Sequence, residues 1–110
     1  MYNQGKQLAI DAIYRVIYSA PKPYNQYQYD QYSDITYQQF ENWRSYVFQV
    51  LDISYSNLGL YDFMNTKNNV ALFVQQFYQY NQTTLNKAPY IQLVNQINNE
   101  LLYLIQRIQY

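Results

Sequence analysis

The sequence predicts an all-α fold, a small four-helix bundle with a Tyr/Gln-rich loop between its first two helices. Apolar residues recur every three or four positions in four segments, at about 5–20, 34–55, 66–80 and 89–109, as in helices that bury one face. Connections rich in Pro, Gly, Asn or Thr separate these segments. The chain has 110 residues, enough for one hydrophobic core and too few for two, so residues 1–110 are predicted to form a single helical domain.

The first helix, at about 5–20, has one apolar stripe along its length. Asp11 and Arg15 lie four residues apart on another face with the acid first, and we expect them to form a surface ion pair. Pro21 ends the helix, because the residue before a proline is disfavoured in the helical conformation. The stripe consists of Ala9, Ile13, Val16, Ile17 and Ala20.

The segment 21–33 contains no apolar aliphatic residue and cannot contribute to a core. It has two prolines and four tyrosines separated by amides and an aspartate, a composition typical of low-complexity, self-associating segments. We interpret it as a mobile linker or as an arm that orders on a surface. Tyr27 and Tyr29 alternate as in a strand, but a lone hairpin would have no second apolar run to pair with.

The second helix, at about 34–55, is introduced by a capping box of Thr36 and Gln39. Asn57 and Gly59 beyond its end are predicted to supply the left-handed chain reversal with which many helices terminate. An αβ fold is the alternative, since the run VFQVLDISY is rich in β-branched and aromatic residues. That run continues the helical stripe, however, and no second strand-like run is present. The stripe consists of Phe40, Trp43, Val47, Val50 and Leu51, widened by Tyr37 and Phe48.

The third helix is predicted to begin after Asn65 or Thr66 as its cap and to extend to about Tyr80. The residues before it, Leu60 to Met64, are predicted to form a short hydrophobic connector that packs against the bundle. The residues that face inward are Val70, Phe73, Val74 and Phe77.

The fourth helix, at about 89–109, has the clearest periodicity in the chain. Pro89 suits its first turn, where the missing backbone donor is not needed. Apolar residues then repeat at spacings of four and three over nearly three heptads, which indicates either an internal seam of the bundle or a dimer zipper. We favour the internal seam. The repeat consists of Tyr90, Val94, Ile97, Leu101, Leu104 and Ile108, flanked by Ile91, Leu102 and Ile105.

The composition excludes several kinds of catalytic site. Without His or Cys, the chain cannot form a Cys or His zinc site, an imidazole-dependent triad or a thiolate nucleophile. Its two glycines, Gly5 and Gly59, cannot form a glycine-rich phosphate loop. No two acidic residues share an inward face within one helix, so we expect no metal site, no cofactor and no enzyme. An enzyme that relies on tyrosine and carboxylate alone is the remaining alternative.

Charge and hydropathy bear on the partner class and the location. The net charge is zero and 13% of residues are charged, which makes nucleic acid an improbable partner because its binders carry a positive surface. No apolar run is long enough to span a bilayer, so no membrane association is expected. Asp11 and Arg15 interrupt the first apolar segment, which is unlike a secretory signal. We therefore expect a cytoplasmic protein.

The sequence favours protein–protein interaction as the function. It contains 16 Tyr and many Gln and Asn but few charges, and interface centres are enriched in aromatic residues and depleted of charge. We expect a small non-enzymatic protein that binds a partner protein. Few Gly, Pro, Ala and Arg suggest an AT-rich genome, and hence a phage or mobile-element inhibitor of a host or defence protein. The alternative is a self-associating structural subunit of a homo-oligomer or larger assembly. The predicted contact residues are Tyr24, Tyr27, Tyr29, Tyr32, Tyr78 and Tyr80.

Overall fold

The computed structural model describes residues 2–21, 37–80 and 87–109, and these form an antiparallel four-helix bundle. Each helix packs against the next in chain order, and α4 returns to α1 in the least extensive of the four contacts. The prediction of an all-α four-helix bundle is confirmed. No helix in the described ranges is both apolar enough and long enough to cross a bilayer. The helices are α1 (Tyr2–Tyr18), α2 (Tyr37–Leu58), α3 (Tyr61–Tyr80) and α4 (Lys87–Ile108).

The predicted apolar stripes form the core. Every residue of the α4 repeat is buried, as is the α2 stripe from Phe40 to Leu51. Four of the five stripe residues of α1 are buried, while Ile17 is half-buried against the core. In α3, Val70 and Val74 are buried and the two phenylalanines of the stripe are half-buried. The α4 heptads thus face inward within one chain, as an internal seam does.

The start of α3 was predicted wrongly. The segment from Leu60 to Met64 is not a connector, because α3 begins at Tyr61. Phe63 and Thr66 are fully buried. Thr66 follows Phe63 by three residues and precedes Val70 by four, so the inward stripe of α3 begins about two turns earlier than predicted. Thr66 therefore lies inside the helix and is not its cap.

The reversal between α2 and α3 depends on one glycine. Gly59 has a φ of 69°, the left-handed conformation that residues with a Cβ avoid. Its N–H donates to the Tyr55 carbonyl at 2.7 Å, which satisfies one of the last free carbonyls of α2. Asn57 and Gly59 were predicted to supply this reversal, but α2 extends to Leu58, three residues beyond the predicted end. Asn57 therefore lies within the helix, and of the two only Gly59 has the left-handed conformation.

Three other local predictions concern an ion pair on α1, the cap of α2 and segment 21–33. The predicted ion pair between Asp11 and Arg15 is wrong, because the Gln7 amide Nε2 donates to Asp11 Oδ1 at 2.9 Å instead and Arg15 forms no ion pair in the described part of the chain. The cap at Thr36 lies outside the described residues, as does most of segment 21–33. The cap at Thr36 and the interpretation of segment 21–33 therefore stay predictions.

Candidate functional site

Most of the tyrosines predicted to contact a partner lie outside the described part of the chain. Tyr24, Tyr27, Tyr29 and Tyr32 belong to the range 22–36, which is not described. The backbone of Tyr80 forms the last residue of α3, but its side chain is not among those described. Only Tyr78 of the predicted set can be placed. Contact of all six with a partner stays a prediction.

Tyr78 belongs to a cluster between the end of α3 and the beginning of α2. Its hydroxyl donates a hydrogen bond to Glu41 Oε2. Arg44 Nη2 donates to the other oxygen of Glu41 at 2.8 Å. The Tyr78 ring contacts Phe40 edge-on, with ring centroids 6.5 Å apart, and lies 6.1 Å from the Tyr37 ring. The half-buried Tyr78 thus has its hydroxyl occupied within the protein.

The cluster changes the ionisation of its members. Burial acts to raise the pKa of Glu41, but the hydrogen bonds from Arg44 and Tyr78 outweigh it, so this pKa lies below its ordinary value. The hydrogen bond to Glu41 in turn raises the pKa of Arg44. Burial, together with the hydrogen bond to Glu41, raises the pKa of Tyr78 far above neutrality. Burial is also the main reason that the pKa of Tyr90 is raised. At neutral pH the cluster therefore contains the ion pair of Glu41 with Arg44 and the neutral phenols of Tyr78 and Tyr90.

This arrangement does not resemble a reactive site. A catalytic tyrosine needs a lowered pKa or an adjacent base with capacity to spare. Tyr78 has a raised pKa instead, and its carboxylate partner, Glu41, also accepts from Arg44. No cluster of acidic side chains that could hold a metal ion occurs in the ranges that the structure describes. The cluster joins α2 to α3, and we assign it a structural role.

A second surface, on the opposite side of α2, has features of a binding site. Near the end of α1 and the beginning of α2 lies an open cavity of about 420 Å³, which we call the amide cavity. The Trp43 indole contributes to its wall and is fixed there because Nε1 donates to the Val16 carbonyl at 2.9 Å. The residues that line the amide cavity are Ser19, Pro21, Gln39, Asn42, Trp43 and Tyr46.

A second cavity lies between the same two helices, toward the N-terminus of α1 and the C-terminus of α2. We call it the aliphatic cavity, and its volume is about 210 Å³. The helices approach closely here, since a Cβ on Gly5 would lie 3.1 Å from Leu58 Cδ2. Leu8 and Ile53 remain 63% and 52% exposed at this cavity. Its lining residues are Gly5, Leu8, Ala9, Ala12, Ile53, Ser54, Asn57 and Leu58.

Charges are distributed unevenly around the bundle. None of the residues that line the two cavities is charged. By contrast, the ion pairs among the described residues all lie on α2, α3 and α4. They are Arg44 with Glu41, Lys67 with Asp52, and Arg107 with Asp62. We call the two cavities together the α1–α2 groove. Their linings are free of charge and include exposed aliphatic side chains.

The sequence contains a signal for this groove that its predicted stripes did not use. Leu8 and Ile53 are apolar residues that fall outside the inward stripes of their helices, and such residues are candidates for an exposed patch. Tyr46 is a third exposed member. That these residues share one groove depends on the antiparallel pairing of α1 with α2, which their positions in the chain do not reveal.

The comparisons with known proteins give no relative from which a function could be transferred. No protein-family model matches the chain, and neither a curated protein nor a solved structure is significantly similar to it.

Proposed function

We propose that this protein is a small, non-enzymatic helical protein that binds a partner protein, with the α1–α2 groove as a principal contact surface. One observation carries the proposal: the groove combines exposed aliphatic side chains and two cavities with a lining free of charge. A partner that covers it would gain the free energy of apolar burial, about 25 cal/mol per Å². It would not have to desolvate a charge of the lining, which is the costly step at an interface centre.

The finer parts of the proposal come from composition. A short chain rich in Tyr, Asn and Gln and poor in Gly, Pro and Ala is typical of an AT-rich genome. We infer that the partner is a host or defence protein, inhibited by a phage or mobile-element product in the cytoplasm. The four predicted tyrosines of segment 21–33 are proposed to contact the partner as well. The described residues Pro21 and Gln39, which precede and follow them in the chain, line the amide cavity.

The experiment compares two aspartate variants of the full chain. Ile53→Asp places a charge in the aliphatic cavity. Leu72→Asp is its matched control, because Leu72 is 47% exposed on α3, away from the groove, while Ile53 is 52% exposed. Both variants are expected to fold, since each substitution is at an exposed position. Wild type and both variants are immobilised and exposed to extracts of the cells that make the protein and of their host.

The expected result is a protein retained by wild type and by Leu72→Asp but lost from Ile53→Asp. That protein is then purified and its affinity for each variant measured by titration. We expect at least a tenfold loss of affinity for Ile53→Asp, because a carboxylate buried without a partner is strongly unfavourable. Equal affinity of Ile53→Asp and wild type would refute the groove as the contact surface. Absence of any retained protein would refute the partner-binding proposal.

Self-association is the second candidate function, and the cavity linings favour it too, because two copies could pack these linings together without burying a charge from them. Light scattering after gel filtration, at two concentrations about tenfold apart, separates the candidates. An oligomer at both concentrations that Ile53→Asp dissociates would support self-association through the groove. Replacement of Tyr24, Tyr27, Tyr29 and Tyr32 by Ser tests segment 21–33 in the same way. A monomer at both concentrations would exclude this candidate.

A further inference from the structure

The two cavities lie along one groove at a separation that both helices define. On α1, Leu8 lines the aliphatic cavity and Ser19 lines the amide cavity. On α2, Ile53 and Asn42 line the same two cavities. Both pairs are eleven residues apart in the sequence, which corresponds to about 16.5 Å at a helical rise of 1.5 Å per residue. A ligand with one anchor beside Leu8 and Ile53 and another beside Ser19 and Asn42 would therefore place them about 16 Å apart.

An α-helix meets this requirement better than an extended segment does. Eleven residues make almost exactly three helical turns, so side chains at i and i+11 project from the same face. A helix also satisfies its own backbone hydrogen bonds. A segment in the β conformation needs an open strand edge to pair with, and no strand exists in the described part of the chain. The groove between two antiparallel helices suits a third helix packed along it.

The two cavities select different anchor side chains. The amide cavity combines the rings of Trp43 and Tyr46 with the polar side chains of Ser19 and Asn42. This lining suits an aromatic side chain that has a polar tip. The aliphatic cavity, bounded by Leu8, Ile53 and Leu58, suits a branched aliphatic side chain. Neither cavity offers a counter-ion to a charged anchor.

The cationic side chain of Arg15 lies on α1 between the residues that line the two cavities. Leu8, Ala12, Arg15 and Ser19 follow one another at spacings of four, three and four, so they form one stripe of the helix. Arg15 is exposed and has no side-chain hydrogen bond or ion pair within the described residues, since its predicted partner Asp11 is bonded to Gln7. A ligand along the groove would bring a side chain close to this guanidinium, and an acidic one would complement it.

We propose that the α1–α2 groove binds an amphipathic α-helix of the partner protein, with a tyrosine-like and an aliphatic anchor eleven residues apart and an acidic residue between them that pairs with Arg15. This inference rests on the proposed function and specifies the recognition element of the partner. The acidic residue lies about four positions from the aromatic anchor, as Arg15 lies four positions from Ser19.

The test uses designed peptides, because the partner is not identified. Alanine-rich helical 20-mers carry Tyr and Leu eleven residues apart, with Glu between them four residues from Tyr. In one peptide Tyr precedes Leu, and in a second peptide Leu precedes Tyr. A nine-residue spacing serves as the phase control, since it puts the two anchors on opposite sides of the helix. A seven-residue spacing keeps them in phase but spans only about 10.5 Å. The peptides contain no tryptophan, so the emission of Trp43, the sole tryptophan of the protein, reports occupation of the amide cavity.

We expect the 20-mer with the eleven-residue spacing to bind, in one of its two anchor orders, at least tenfold more tightly than both spacing controls. Each control can fill only one cavity. Ile53→Asp should abolish this preference and Leu72→Asp should keep it. Exchange of Glu for Gln in the peptide should weaken binding about two- to fivefold, as for an exposed ion pair. In Arg15→Gln this exchange should have no effect.

Two results would overturn the inference: equal affinity for the three spacings, or no saturable binding of any of them. If Ile53→Asp still loses the partner protein in that case, the proposed function stands and only the helical ligand is wrong. If the spacing preference is found but the partner binds Ile53→Asp as tightly as wild type, the groove accepts helices but is not the contact surface for that partner, and the inference about the partner's helix fails. A Glu to Gln effect that persists in Arg15→Gln would refute the assigned role of Arg15.

Discussion

Replacement of Trp43 by Ala and by Phe separates the packing of its ring from its hydrogen bond. The side chain is 4% exposed, and its ring lies 6.3 Å from that of Phe40. Removal of such a ring costs about 3 to 5 kcal/mol. Phe keeps most of the apolar contact but loses the bond to Val16. Because the Val16 carbonyl also accepts from Ser19 Oγ at 3.0 Å, it is not left unpaired, and we expect Trp43→Phe to cost about 1 to 2 kcal/mol.

The assay is urea unfolding followed by far-ultraviolet circular dichroism, since both variants lack the only tryptophan and fluorescence would not report on them. Leu72→Ala, at an exposed position, is the control and should change the free energy of unfolding by less than about 0.5 kcal/mol. A loss below about 1 kcal/mol for Trp43→Ala would refute the place of this ring in the core. Equal losses for the Ala and Phe variants would show that the hydrogen bond contributes more than the ring.

Four further predictions concern the core, the turn and the Tyr78 cluster. Leu101→Ala should cost about 2 to 5 kcal/mol in the same urea titration, and a loss under 1 kcal/mol would contradict its burial. Gly59→Ala should cost about 1 kcal/mol because φ is 69° there, although the added methyl meets no atom, and an unchanged melting temperature would contradict this. The raised pKa values of Tyr78 and Tyr90 favour the neutral phenols in the folded state. The free energy of unfolding should therefore be retained up to the ordinary tyrosine pKa of about 10 and fall above it. In Tyr78→Phe the free energy of unfolding should fall less steeply with pH than in wild type, and an equal slope would contradict this. The pKa of Glu41 is lowered, so its ionised form stabilises the folded state. This contribution to stability is complete above the ordinary pKa of 4.5 and is lost as the pH falls through the lowered pKa. Glu41→Gln should reduce this acid dependence in equilibrium unfolding, and an unchanged acid limb would contradict it.

The fold was predictable where a stripe was unambiguous. In α4 the spacing of four and three residues continues from Tyr90 to Ile108, and all of these residues are buried. The beginning of α3 was not predictable from the same rule, because it depends on a buried threonine. Thr66 resembles a helix cap in sequence, but the structure encloses it in the bundle, where its Oγ1 accepts from Arg107 Nη2 at 3.2 Å. A partner from α4 thus makes a polar residue acceptable within the stripe of α3.

The candidate site was less predictable than the fold. Tyr78 was predicted as a contact residue from composition, yet its hydroxyl bonds to Glu41, 37 residues away in the chain. The groove itself was missed because Leu8 and Ile53 are 45 positions apart and neither belongs to a motif. Contacts between distant residues require knowledge of which helix faces meet.

The sequence by itself determined the number of helices, most of their buried faces and the scarcity of charge, because apolar periodicity and composition are local properties of the chain. Only the tertiary structure decided which side chains form the two cavities with linings free of charge. The antiparallel packing of α1 on α2 aligns Leu8 with Ile53 and leaves Arg15 between two cavities, while the ion pairs of α2, α3 and α4 form on the other sides of the bundle. Such a surface arises from side chains of two helices together, and for that reason neither helix reveals it alone.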